Sequence, residues 1–484
     1  VTCRHRFGRV LTRVFCLAGG LLSAVTLPAA AVKPVTAPRP QKSSAAPIQA
    51  AFAARALEFA RRDVPRLADY ARELSAVAAQ AAQKVVAAQK AVQESRRSKN
   101  KAARTAAATL LKTVTKALRT AEKAAQLAKT QAQSAAARVV AFEKSPPVAD
   151  PKRIHPVGLF KYDRPVLSCR FDPHGEYLFT GSFDNSLQRW DILTGSRTVL
   201  KGHRSWIRRF TFGPAGQMLI SGDYTGRLIW WNPLAASPVP LRQIAAHHGW
   251  LRAVAVSPDG RYVVTGGNDT LVKVWSATDG SLIKTLPGHA RHVYNVAFHP
   301  DGRSFVSGDL MGVLKQWEVG TWKNIRDFDA GVLTKYDPTF KADCGGIRGM
   351  DFAPDGKSFA VAGISNVTNA FANIGIPTVV LFDWKTGKRL KVMQPKKNFK
   401  GTCWAVRFHP SGRFLIGAGG GSGAALWFWK PGETKSFFDY KLPNTAYDLA
   451  LHPDGLRFAV ALYDKTVRIY DLGPKTVPMA KPKR

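Results

Sequence analysis

Eleven histidines, five cysteines and 33 acidic residues are the groups with which this 484-residue chain could do acid–base, nucleophilic or metal chemistry. Their spacing assembles none of it. Cys3, Cys16, Cys169, Cys344 and Cys403 form no Cys-x-x-Cys pair and no Cys-x-x-Cys-His haem site, so the scattered thiols read as buried or inert. There is no Gly-x-Ser-x-Gly elbow, no P-loop and no His-Glu-x-x-His. The pair His247-His248 reads as one core residue beside an exposed neighbour. Acids sit mostly in turns, as in Pro258-Asp259-Gly260, where Asp favours the turn itself. The sequence therefore assigns no catalytic residue, no cofactor, no metal site and no small-molecule substrate.

Charge points to recognition instead. Lys and Arg total 71 against 33 acids, a net of +38. The excess is spread along the chain: residues 1–150 hold 26 basic and 8 acidic groups, leaving 45 and 25 for the rest. Such a field attracts nucleic acid, anionic polysaccharide, lipid headgroups or acidic proteins, in a salt-dependent way. A plainer reading is that the charge keeps an exported protein soluble.

The groups are positioned by a repeat. Pro-x-Gly, usually two residues behind an aromatic, recurs at Pro173, Pro214, Pro258, Pro300, Pro354, Pro410 and Pro453, with a period of about 42 residues and two longer gaps. Each copy holds an alternating run before the turn, a β-rich run after it such as 177–180, and a third run usually ending on an aromatic. Three strands per copy are legible. The third copy shows the pattern in full: His247, then 253–260, then Thr265-Gly266-Gly267-Asn268-Asp269, then Val272-Lys273-Val274-Trp275.

Here the chain resembles the WD-repeat β-propeller family. Gly202-His203 and Gly288-His289 match its Gly-His dipeptide, Trp190-Asp191 its Trp-Asp, and Tyr470-Asp471 nearly so, over about residues 152–475. The resemblance implies an all-β ring of seven blades. A lone four-stranded blade cannot bury both faces, so blades pack radially and closure removes long edges. The last copy supplies only three strands (447–451, 456–461 and 466–471), so a strand near 154–161 is expected as its fourth. The family's buried His, Ser/Thr, Asp and Trp network looks complete only in the third copy, as His247, Thr265, Asp269 and Trp275. Thr225 and Met311 stand where the second and fourth copies should have the Asp. Copies five and six lack the His, carry long or Gly-rich second turns (364–377 and 417–423), and are expected to be the loosest. The family also binds partners along one rim. Carried over from the Pro-x-Gly anchors, the first-strand set is Trp206, Arg208, Trp250, Arg252, His292, Tyr294, Arg348, Trp404 and Tyr447. The turn set is Phe183, Tyr224 and Tyr463. Trp, Tyr and Arg dominate binding hot spots.

Upstream, Arg4, Arg6, Arg9 and Arg13 precede an apolar run over 14–27 and Ala29-Ala30-Ala31, the pattern of a signal peptide over 1–31. The alternatives are an uncleaved anchor or a basic amphipathic tail. Cleavage near Val32 leaves an exported, periplasmic or extracellular protein with no transmembrane span. A Pro/Ala-rich linker over 32–49 leads to a basic, Ala-rich helical hairpin over 50–145. Its apolar positions alternate by four and three, from Leu67 through Val92 and again from Ala107 through Phe142, a coiled-coil signature. A linker over 146–153, the propeller over 154–475 and a basic tail over 476–484 complete the chain. The function expected is a non-catalytic scaffold, binding a protein partner, an acidic protein or a polyanion through the rim. The alternative is a secreted propeller hydrolase, lyase or oxidoreductase with its site in the central channel, which inward-facing carboxylates or histidines would favour.

Overall fold

Each Pro-x-Gly turn forces one glycine into the left-handed region, and the seven glycines Gly175, Gly216, Gly260, Gly302, Gly356, Gly412 and Gly455 all have φ between 68° and 75°. In the computed structural model, which describes residues 45–339, 341–369 and 374–475, every one of these turns joins the first two strands of a four-stranded antiparallel sheet. Seven such sheets form a ring, blades 1 to 7 in chain order, with their first strands in contact around the centre. The segment read as a signal peptide, most of the linker before the helices and the basic tail lie outside the described residues.

Closure is made by the strand His155–Lys161, which pairs antiparallel with Thr466–Asp471 and completes blade 7 around Ala446–Leu451 and Arg457–Leu462. Phe160 on the closing strand is buried and packs on Trp190 of blade 1, with ring centroids 5.4 Å apart. The strand thus joins two blades as well as the two ends of the repeat region. Tyr162, just beyond it, donates its hydroxyl to Asp184 in blade 1.

Blades 2, 3 and 4 each bury a complete polar relay, which corrects the expectation that only blade 3 has one. In blade 3, Trp275 Nε1 donates to Thr265 Oγ1 at 2.9 Å, that hydroxyl meets His247 Nε2 at 2.7 Å, and His247 Nδ1 faces Asp269 at 2.8 Å. Blade 2 repeats this through Trp231, Ser221, His203 and Asp223, and blade 4 through Trp317, Ser307, His289 and Asp309. The carboxylate there comes from the end of the second strand, two residues before Thr225 and Met311. Blade 3 has Gly267 at that place, where an added Cβ would lie 2.5 Å from His247 Nδ1. The same imidazole is reached from two backbone positions. Blade 1 replaces the relay by a chain from Trp190 through Thr180 to Gln188, whereas in blades 5 and 6 apolar rings fill the space: Phe359 stacks on Phe382, and Trp427, Phe428 and Trp429 are buried.

The segments read as second turns in blades 5 and 6 are mostly strand. Ser358–Asn369 and Ile374–Asp383 pair as far as Asn369 with Ile374, a hairpin that outruns the blade. In blade 6 the glycines lie in the strand Leu415–Gly421 because the backbone of Thr402 crosses there: a Cβ on Gly419 would sit 2.0 Å from its carbonyl oxygen.

Two helices packed together precede the ring, α1 (Ala45–Ser95) and α2 (Lys101–Lys144). α1 begins five residues inside the stretch read as linker. Asn100 caps α2 by accepting from the amides of Ala102 and Ala103. The four-three stripe is the buried one: Leu67, Ala71, Ala88, Ala125, Ala128 and Phe142 are covered, while its neighbours face solvent. The base of the hairpin docks on the ring. Phe52 and Phe59 set their edges against His409 and His452, Arg457 bridges Asp63 and Asp454, and Arg138 binds the buried Asp471 at 3.0 Å. These contacts lie at the Pro-x-Gly turns of blades 6 and 7, so the hairpin occupies the face carrying the first-to-second strand turns. Among the described residues, no helix is long and apolar enough to cross a membrane.

Two outcomes follow. Phe160→Ala should cost about 3–5 kcal/mol in a urea titration, because the cavity opens at the seam that closes the ring. Burial holds His203, His247 and His409 below the ordinary imidazole range, His409 at about 4. An unfolded chain takes up these protons as the pH drops through about 6.5 while the folded one does not. The Tm should therefore fall between pH 7 and pH 5, and a flat Tm over that interval would contradict this account.

Candidate functional site

Strand alternation decides which side chains reach the centre of the ring. Ile207, Leu251, Val293 and Ala446, early in their first strands, are fully buried in their blades. The next residue is then an extra one. In six blades the first strand bulges against the second, and the unpaired residues are Leu167, Arg208, Arg252, Tyr294, Trp404 and Tyr447. A bulge bends the strand and re-aims the side chain at that point. Blade 5 has no such shift, and Arg348, just before its first strand, takes the place.

These seven residues, one per blade, line a single cavity of about 300 Å³ together with Phe183, Trp206, Arg209, Tyr224 and Trp250. Antiparallel connectivity puts this mouth on the face opposite the docked hairpin. Of the first-strand set, Trp206, Arg208, Trp250, Arg252, Tyr294, Arg348, Trp404 and Tyr447 are brought together. His292 is not, because its Nδ1 is held by the carbonyl of Asn268 at 2.7 Å. Of the turn set, Phe183 and Tyr224 line the mouth, whereas Tyr463 stands outside it and only touches Tyr447, with centroids 6.0 Å apart.

The lining is a run of stacked rings and guanidinium groups. Phe183 meets Trp206 edge-on at 4.3 Å, and Tyr224 stacks flat on Trp250 at 4.2 Å. Arg252 lies over Trp250 and Tyr294 at 4.6 and 4.2 Å, Arg348 over Tyr294 and Trp404 at 4.7 and 5.2 Å, and Arg208 over Trp404 at 5.4 Å. Cation–π contact orders the cations without neutralising them. Burial alone would raise the Tyr294 phenol, yet Arg348 and Arg252 overcome it and draw its pKa down.

Beneath the mouth lies a second layer that sequence reasoning missed: Arg170, Arg209, Arg407 and Asp448. Counting back three or five residues from the Pro anchors would have found these inner-strand charges. Asp448 accepts from Arg170 at 2.6 Å and lies 3.8 Å from Arg407 and 3.9 Å from Arg209. Burial pushes its pKa up, but the three arginines prevail and hold it low. Asp351, the other inward-facing carboxylate here, accepts from the amide of Phe408. Both inward-facing acids are thus engaged with protein donors. On the mouth's face, the hairpin Thr334–Asp337 with Ala342–Gly345 rises between blades 4 and 5 and braces the long blade 5 hairpin through Lys335, which donates to the carbonyl of Val367 at 2.9 Å.

Removing the carboxylate of Asp448 leaves the buried Arg209 and the partly buried Arg170 and Arg407 around one neutral amide. Asp448→Asn should destabilise the ring by about 3–5 kcal/mol in chemical denaturation.

The family model described as "WD domain, G-beta repeat" matches residues 156–191, 195–232, 238–276, 280–318 and 440–471. Its silence over blade 5 and most of blade 6 falls where the relay is replaced by apolar packing. The guanine nucleotide-binding protein subunit beta of Oryza sativa subsp. indica is 23% identical over 324 residues, 63% of this chain and 80% of that protein. Polyadenylation factor subunit 2 of Candida albicans is 27% identical over 127 residues, and nuclear distribution protein PAC1 of Arthroderma otae 29% over 163 residues. These two alignments cover 26% and 27% of this chain, and the chain spans only 23% and 35% of the two proteins.

Proposed function

Because this chain belongs to the WD-repeat β-propellers, we propose that it is a non-catalytic interaction scaffold that binds a protein partner at the mouth of the ring. The observation that carries this reading is the convergence of eleven aromatic and arginine residues, from blades spread round the ring, on one cavity. Trp206 and Trp250 keep 41% and 40% of their surface exposed, although each is held in place by a neighbouring ring. Large, ordered and half-open aromatics bind at low entropic cost. The names of the related proteins, subunits and factors of larger assemblies, agree with such a role.

The hairpin gives the scaffold a second arm. Its 51- and 44-residue helices would run about 75 and 65 Å. Residues 84–129, beyond the docked base, hold 12 Lys and Arg against Glu94 and Glu122. The arm offers a diffuse positive field on one side of the ring while the mouth offers a shaped surface on the other. The basic and apolar pattern of residues 1–31 supports export, with the protein working in the periplasm or outside the cell. An N-terminus near Val32 in mass spectra of the native protein would agree with this, and residues 1–31 retained on a cytoplasmic protein would overturn it.

The two surfaces should respond differently to mutation. In affinity capture with the full chain, Trp250→Ala should lose the specific partner by about 2 kcal/mol. Lys112→Gln with Lys116→Gln should leave that partner bound and lower only salt-sensitive polyanion binding. Equal, small losses from both, vanishing at high salt, would refute a dedicated partner site.

A further inference from the structure

Arg209 is 9% exposed and lines both the mouth and the layer beneath it. Its Nη2 donates to the carbonyl of Arg348 at 2.9 Å, but its Nη1 is buried without any hydrogen-bond partner. The nearest carboxylate oxygen, Asp448 Oδ2, is 3.9 Å away and already accepts from Arg170 at 2.6 Å. The Nε of Arg348, which also lines the mouth, is likewise buried without a partner. Leaving buried charged donors unpaired is costly, and such a group calls for a partner from outside the chain. No carboxylate lines the mouth above Arg209, while Arg208, Arg252 and Arg348 do.

We propose that the mouth takes one oxyanion-bearing side chain of an acidic peptide, seated on Arg209 and Arg348 and flanked by the Trp206 to Trp250 wall. The proposal rests on the reading of the mouth as a protein-binding site and names the chemistry it selects. A guanidinium fork suits the two oxygens of a carboxylate and equally those of a phosphate. A cavity of about 300 Å³ with Arg209 at its base fits one inserted side chain. A sulfated or uronic glycan, charged along its length, would call for a shallow basic groove instead. Burial and the neighbouring Arg208 draw the pKa of Arg209 down to about 9, and an anion seated there would restore it.

The test is selection of a random dodecapeptide library on the immobilised full chain, followed by affinities of the recovered peptides. Peptides sharing one Asp or Glu are expected. Changing that residue to Asn or Gln should weaken binding at least tenfold, Arg209→Gln should do the same, and the two losses should not add. Arg252→Gln, at the edge of the mouth, should weaken the same peptides at least fivefold and serves if Arg209→Gln fails to fold, as judged by near-ultraviolet circular dichroism. Phosphoserine at the acidic position separates the two sources of oxyanion: tighter binding assigns a phosphorylated partner, weaker binding a carboxylate. Peptides that need Trp250 but neither an acid nor Arg209 would overturn the proposal and leave the protein-binding reading standing. Recovering no peptide that depends on Trp250 would overturn both. Binding of a sulfated oligosaccharide that Arg209→Gln abolishes, with peptides unaffected, would assign the site to a glycan and also overturn it.

Discussion

The pairing of His155–Lys161 with Thr466–Asp471 is the constraint on which the other features rest. An open stack of blades would leave its first and last sheets with bare edges and an uncovered apolar face. Closure removes those edges and also fixes the diameter of the ring. That diameter brings seven first strands close enough for their side chains to share one cavity. The hairpin depends on the same seam, since Arg138 binds Asp471, the last residue of the strand that the closing strand pairs with.

Within that frame the centre of the ring is ordered by charge in layers. Asp448 gathers Arg170, Arg209 and Arg407, so a buried carboxylate holds together cations that would otherwise repel. Above them, aromatic faces take the place of acids, and Arg208, Arg252 and Arg348 keep their charge available. The outer parts of blades 2 to 4 solve a different problem. There a Trp, a hydroxyl, a His and an Asp satisfy one another in sequence, so that each buried polar atom has a partner. The functional surface and the structural relay thus use similar residue types with opposite accounting: the relay leaves nothing unpaired, and the mouth leaves two donors open.

The sequence by itself determined the ring. Pro-x-Gly at a regular period, with a missing fourth strand in the last copy and a spare strand before the first, requires seven sheets closed by the two ends of the repeat region, because a turn glycine and an unpaired edge are local matters. The four-three stripe from Leu67 to Phe142 likewise determined the helical hairpin, since helical periodicity is written in consecutive residues. The rim was legible for the same reason: position relative to an anchor is preserved in each copy. Only the tertiary structure decided the rest. Whether the histidine is met by a carboxylate two residues beyond the relay hydroxyl or four depends on backbone direction, so Asp223 and Asp309 could stand in for an Asp expected at Thr225 and Met311. Bulges are invisible in residue type, and they alone aim Arg208, Arg252, Tyr294, Trp404 and Tyr447 at the centre while His292 turns aside to a carbonyl. The burial of Arg209 with an unpaired nitrogen arises from blades 2, 5 and 7 meeting across the channel, a contact between residues as far apart as 209 and 448 that no local pattern encodes.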